Sequence, residues 1–139
     1  MIDKDIKRVE EALGVRLPAH YVSFLMEFKG YKEAKGYQTG MDRFIYSDAD
    51  ILIEMNQLMG FHSDDKIIQH KLVIGENGGG DFYLIDLKDP DDKNVYFFDH
   101  EESIENSYNS KTREWDWPAL ECYETMGHYK ASVEELFGR

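Results

Sequence analysis

Cysteine is nearly missing: Cys122 is the single one among 139 residues. One thiol excludes an internal disulfide and any cysteine-based zinc cluster. Long apolar runs are missing too. No stretch approaches the roughly 20 residues of a membrane-spanning helix. The opening MIDKDIKRVEEALG has no uninterrupted apolar segment of the kind a secretory leader carries. The expectation is a cytoplasmic protein with no membrane partner. Clusters of lysine and arginine are also lacking. The chain has 16 Lys plus Arg against 28 Asp plus Glu, a formal charge of −12. Nucleic acid has to be neutralised by grouped cations, so direct nucleic-acid binding is not expected and a basic partner is. No repeat, low-complexity tract or linker stands out.

What is there is apolar and acidic. With 42% hydrophobic and 14% aromatic residues, 139 residues suffice for one core, and one compact domain over 1–139 is expected. Residues 72–100, LVIGENGGGDFYLIDLKDPDDKNVYFFDH, hold three apolar runs at 72–74, 82–87 and 95–98, each bounded by turn-forming residues. In the middle run Phe82 and Leu84 alternate with Tyr83, Ile85 and Leu87, so that strand should be covered on both faces. Residues 76–105 carry ten acids against Lys88 and Lys93, a net of −8, whereas residues 1–43 carry a net of +1. Charge is therefore expected to be polarised across the molecule.

Taken in order, Ile2, Ile6, Val9 and Leu13 have helical spacing, with Gly14 where a left-handed terminal residue belongs. Pro18 fits the first turn of a second helix carrying Tyr21, Phe24, Leu25 and Phe28, closed by Gly30. Residues 43–46 read as a short strand. The oxygens of Ser47, Asp48 and Asp50 can cap a third helix through Leu58 and Met59, ended by Gly60. Residues 61–70 and 108–113 read as loops. Trp115 and Trp117 are large anchors, and Pro118 starts a helix through Leu120 and Tyr123 that includes Cys122. Val133, Leu136 and Phe137 make a last amphipathic turn. The order predicts an α+β domain, helices packed on a mostly antiparallel sheet.

The run Glu11-x-Leu13-Gly14-x-x-Leu17-Pro18-x-x-Tyr21-x-x-Phe24-Leu25, then Ile74-Gly75, Gly80-Asp81 and a strand ending in Asp86, resembles the SUKH superfamily. This superfamily includes the Smi/Knr-type regulator of yeast cell-wall assembly and many bacterial homologues. The ILIEMN stretch at 51–56 and SVEEL at 132–136 fall in the order the resemblance requires. It implies a non-enzymatic binding protein without cofactor. Most bacterial members are immunity proteins, antitoxins that bind the toxic domain of a polymorphic toxin made beside them, often a nuclease. Charge points the same way: a surface that grips nucleic acid is basic, and an acidic face competes with phosphate and speeds encounter. The expected docking face is Asp89, Asp91, Asp92, Asp99, Glu101 and Glu102, with Tyr96, Phe98 or Trp115 as apolar anchors. The alternative within the resemblance is a regulatory scaffold of cell-wall or glucan synthesis. The bland reading of any single acid is a solvated turn residue.

Catalytic readings fare worse. Gly75 and Gly80 have phosphate-loop spacing, but Asp81 stands where the lysine is needed. Gly78, Gly79 and Gly80 instead supply backbone freedom between two strands, and Asp86 reads as a turn-forming acceptor. DPDDKN at 89–94 lacks the acceptor and glycine of a calcium loop. His20, His62, His70, His100 and His128 show no i, i+4 pair that would mark a helical metal site. Asp99, His100 and Glu101 alternate in direction if they continue a strand. Cys122 reads as a small buried hydrophobe. A hydrolase holding a metal through Asp81, Asp86 and Asp99 remains a third reading, on the acidic segment alone.

Overall fold

In the computed structural model, which describes residues 1–28, 43–58, 71–77, 79–99, 101–102, 104–109, 111–112 and 114–136, three helices precede the sheet. They are α1 (Asp3–Leu13), α2 (Ala19–Glu27) and α3 (Ala49–Leu58). Strands β1 (Lys71–Glu76), β2 (Phe82–Asp86) and β3 (Val95–Phe98) follow, then the short β4 (Tyr108–Asn109), β5 (Glu114–Trp115) and β6 (Glu121–Tyr123), and last α4 (Met126–Leu136). Strands pair in the order β1-β2-β3-β6, every pair antiparallel, and β4 and β5 form a separate hairpin. This is the α+β architecture that the element order predicts.

The helices begin and end for local reasons. Ile6 and Val9 bury one side of α1, and Gly14 ends it at φ 64°, a left-handed conformation that glycine adopts without a Cβ clash. Glu10 then accepts the Leu17 N–H (2.9 Å), which fixes the approach to α2. Pro18 caps α2 from outside at φ −60°, and its carbonyl accepts the N–H groups of Tyr21 and Val22 (both 3.0 Å). Tyr21, Phe24 and Leu25 turn inward. For α3 the cap is Asp48, whose Oδ1 accepts from the N–H of Asp50 (2.8 Å) and Ile51 (3.2 Å).

The sheet is buried on both faces, as the middle strand predicts. On one face Tyr83 lies opposite Phe97 and contacts Tyr123 and, from α4, Tyr129, with ring centroids 4.5 to 6.1 Å apart. On the other, Tyr96 meets Trp117 (4.6 Å) and Phe98 meets Trp115 edge-on (6.1 Å). The tryptophan segment is thus the lid on the second face, where strand periodicity alone could not place it. Among strand ends, Gly80 turns at φ 96° between β1 and β2.

Several expectations change. Residues 43–46 form a turn instead of a strand; its Tyr46 N–H donates to the Ile74 carbonyl (2.8 Å). Helix α2 stops at Glu27, where Phe28 becomes extended, and Gly30 lies outside the described residues. The segment opened by Pro118 is one 3-10 turn, Trp117–Ala119, running into strand β6. Packing of Trp115 and Trp117 on β3 sets the path of that segment, overriding the helix-start signal of proline. Cys122 consequently sits on β6 and is exposed, not buried. Tyr108 and Trp115 pair in the β4/β5 hairpin where loop was expected; Asn109 Oδ1 accepts from Lys111 N (2.9 Å) and Thr112 N (3.2 Å) to make its turn. The last amphipathic turn proves to be the end of the three-turn helix α4. Residues 59–70, 78, 100 and 137 lie outside the described residues, and with them the loop expected at 61–70 and His62, His70 and His100.

Candidate partner-binding site

The acids of the middle segment are where they are first of all for the backbone. Asp86 Oδ1 accepts from Lys88 N (2.8 Å), Asp89 Oδ1 from Asp91 N (3.0 Å), Asp92 Oδ1 from Asn94 N (3.0 Å) and Asp99 Oδ1 from Glu101 N (2.9 Å). Each is a side chain closing a turn over its own chain two residues on, which the short Asp does and the longer Glu does poorly. The reading of Asp86 as a turn-forming acceptor holds. Charge here is partly a consequence of turn chemistry.

The six acids assigned to one docking face divide into two groups, one at each end of β3. Asp89, Asp91 and Asp92 precede that strand, while Asp99, Glu101 and Glu102 follow it. Four strand residues at about 3.3 Å each separate them by roughly 13 Å or more. At the leading end, Asp89 and Asp91 are exposed; Asp92 is half-buried and accepts the Tyr96 hydroxyl (2.6 Å). At the trailing end, Glu101 and Glu102 are exposed, Asp99 is half-buried and Glu102 accepts from Asn106 (3.0 Å). Among the described residues, Asp89, Asp91, Asp92, Glu101 and Glu102 take part in no ion pair.

Tyr96, Phe98 and Trp115 are 6%, 4% and 7% exposed. They belong to the core and have little surface to offer a partner as the structure stands. Their contribution is to hold the turns: Tyr96 fixes Asp92, and Trp115 stacks on Trp117 (5.9 Å) and meets Tyr108 edge-on (5.2 Å).

Each acidic end has its own cavity. Beside the β2–β3 turn a cavity of about 370 Å³ is lined by Asp86, Lys88, Asp89, Glu114, Trp115 and Trp117. Lys88 Nζ donates to Glu114 (2.9 Å), and both side chains are more than half exposed. Asp86 is only 6% exposed. Burial pushes its carboxyl above the ordinary range, against the stabilising N–H of Lys88, and the neighbouring charges of Asp92 and Asp89 push the same way. At the other end a cavity of about 310 Å³ has Asp99, Glu102 and Glu121 among its lining residues, with Phe97 and Leu120. Sequence reasoning missed Glu114, Glu121 and Trp117 as site residues. Each is brought in from beyond the acidic segment, by the hairpin or by β6, so only the topology could bring them in.

Among the described residues no group of three or more His, Cys, Asp and Glu is disposed to hold a metal ion. No helix is long and apolar enough to cross a membrane. The exposed Cys122 thiol is shifted upward by partial burial and by Asp92 and Glu124, away from the reactive thiolate.

No curated protein and no solved structure matches the chain. A family model does: that of the SMI1 / KNR4 family (SUKH-1) matches residues 3–119. The match runs from α1 through the tryptophan lid and stops short of β6 and α4. With well over half of its length matched, and with the motifs of α1, α2 and the β1–β2 turn inside that span, the chain belongs to the SMI1 / KNR4 family (SUKH-1).

Proposed function

We propose that this family member is an immunity protein, a non-enzymatic antitoxin of the cytoplasm that occludes a basic toxin domain, such as a nuclease, one to one. The observation that carries the reading is the set of carboxylates flanking β3 that no lysine or arginine among the described residues pairs with: Asp89, Asp91, Asp92, Glu101 and Glu102. A rigid, layered scaffold presenting such potential draws a cationic surface at rates above those of a neutral pair, and rejects acidic competitors. The turns that fix Asp89 and Asp92 pre-organise part of this charge, so less side-chain entropy is lost on docking.

The experiment is co-expression of the chain with the toxic domain encoded next to it. Survival of cells, and a one-to-one complex by size-exclusion chromatography, support the reading. Death of the cells with both proteins present overturns it. Recovery of a wall-synthesis component in a pull-down from the native cell would instead favour the regulatory scaffold.

A further inference from the structure

The cavity beside the β2–β3 turn has the chemistry of a receptor for one particular side chain. Asp86 on its wall is a residue only 6% exposed. It accepts the backbone N–H of Lys88 at 2.8 Å and that of Asp89, and it has no ion pair among the described residues. A buried carboxylate without a cation is costly, and proteins that retain one commonly use it. Asp89 and Glu114 bring two more carboxylates to the same cavity, and the indoles of Trp115 and Trp117, inclined 30° to each other, supply flat apolar walls. Lys88, the one cation there among the described residues, pairs with Glu114 on the rim.

We propose that this cavity takes an arginine side chain of the basic partner, its guanidinium pairing with Asp86 and lying against the Trp117 indole. Arginine fits better than lysine on three grounds: its planar fork matches a carboxylate edge, it stacks on aromatic faces, and it is shed by water more readily than an ammonium. A metal ion is not the occupant argued for, since among the described residues no three carboxylates are grouped as metal ligands. A second copy of this chain does not suit it either, since two molecules of charge −12 repel. The inference rests on the proposed docking to a basic partner, and it adds where that partner's anchor enters.

The test needs no partner. N-acetyl-arginine amide is titrated into the isolated 15N-labelled protein while the two tryptophan indole N–H resonances are followed. Saturable shifts at millimolar ligand are expected, with N-acetyl-lysine amide weaker by several-fold. Asp86→Asn should weaken arginine binding about tenfold, the loss of one charge-assisted hydrogen bond, without lowering the melting temperature. Lys88→Met should strengthen it a few-fold, by removing a like charge from the rim. The increase gives a second arm should Asp86→Asn fold poorly. Equal shifts with N-acetyl-glycine amide, or an Asp86→Asn or Lys88→Met titration identical to the parent, would overturn the inference. Because the readout is the isolated chain, failure of toxin protection would leave this result standing, and failure of arginine uptake would leave protection to be explained by the outer carboxylates alone.

Discussion

The side-chain amide of Asn56 holds Val73 by both of its backbone groups: Oδ1 accepts the Val73 N–H at 2.8 Å, and Nδ2 donates to the Val73 carbonyl at 2.8 Å. Nδ2 also donates to the Leu52 carbonyl (2.9 Å) within its own helix. One fully buried amide on α3 therefore does the work of a neighbouring strand along the outer edge of β1. Unpaired strand edges recruit other chains, and this edge is closed from inside the fold.

Replacing Asn56 by Leu keeps the approximate volume but leaves a buried N–H and a buried carbonyl of Val73 without partners. Each such orphan is worth about 1 to 3 kcal/mol, so Asn56→Leu should destabilise the domain by roughly 2 to 5 kcal/mol. Urea denaturation followed by tryptophan fluorescence reads this directly. A loss below about 0.5 kcal/mol, the range of an ordinary surface change, would mean that the bridge is incidental.

Next to that edge, β1 carries an extra residue: Val73 lies opposite Leu84 and Gly75 opposite Tyr83, so Ile74 bulges out of register. Its carbonyl takes the Tyr46 N–H. The Tyr129 hydroxyl donates to the Phe44 carbonyl directly over Gly75. A Cβ on Gly75 would strike both the Phe44 carbonyl and the Tyr129 hydroxyl. Gly75→Ala should therefore cost about 1 to 3 kcal/mol, the range for overpacking a tight site. The double variant with Tyr129→Phe should lose less than the two single losses added together, because the second change clears part of the collision. Strict additivity would contradict the packing described.

Helices α1 and α3, the first three strands and the burial of both sheet faces were legible because each rests on local periodicity or a local cap: Ile6 and Val9, Asp48, Tyr83 against Leu84. What the sequence did not disclose depends on contacts distant along the chain. Pro118 carries a helix-start signal, yet Trp117 is drawn onto Tyr96, and the chain leaves as strand β6 to pair with β3. The acidic segment reads as one face in sequence and becomes two ends in space because β3 runs through the middle of it. Asn56 gave no warning at all, since an amide inside an amphipathic helix carries no mark of the strand it will meet.

Lys71 opens β1 fully buried, and desolvation lowers its pKa to about 7. In the unfolded chain a lysine titrates near 10.5. Between these two values the unfolded state holds a proton that the folded state has released, so stability should rise with pH from about 7 upward. The slope is at most about 1.4 kcal/mol per pH unit for one proton. Denaturation midpoints at pH 7 and pH 9 should differ in that direction, and Lys71→Met should flatten the difference. A midpoint that falls over this interval would place the ammonium charge in the folded state.

Association with a basic partner should discriminate between the two acidic ends. Asp91 is the cleanest probe of the leading end: it is exposed, and its carboxylate holds no turn, whereas Asp92 is tied to Tyr96 and Asn94. Glu101 serves equally at the trailing end, exposed and with no ion pair among the described residues. If docking centres on the β2–β3 turn, Asp91→Lys should slow association several-fold in 50 mM salt, and Glu101→Lys should slow it much less. Steering between exposed charges is screened over about 10 Å at 0.1 M ionic strength, so the Asp91→Lys deficit should shrink as salt rises, with little change in the off-rate. Stopped-flow measurement at several salt concentrations decides it. A larger effect from Glu101→Lys would move the docking centre to the Asp99, Glu102 and Glu121 cavity, and equal rates for both variants and the parent would mean that neither end steers the encounter.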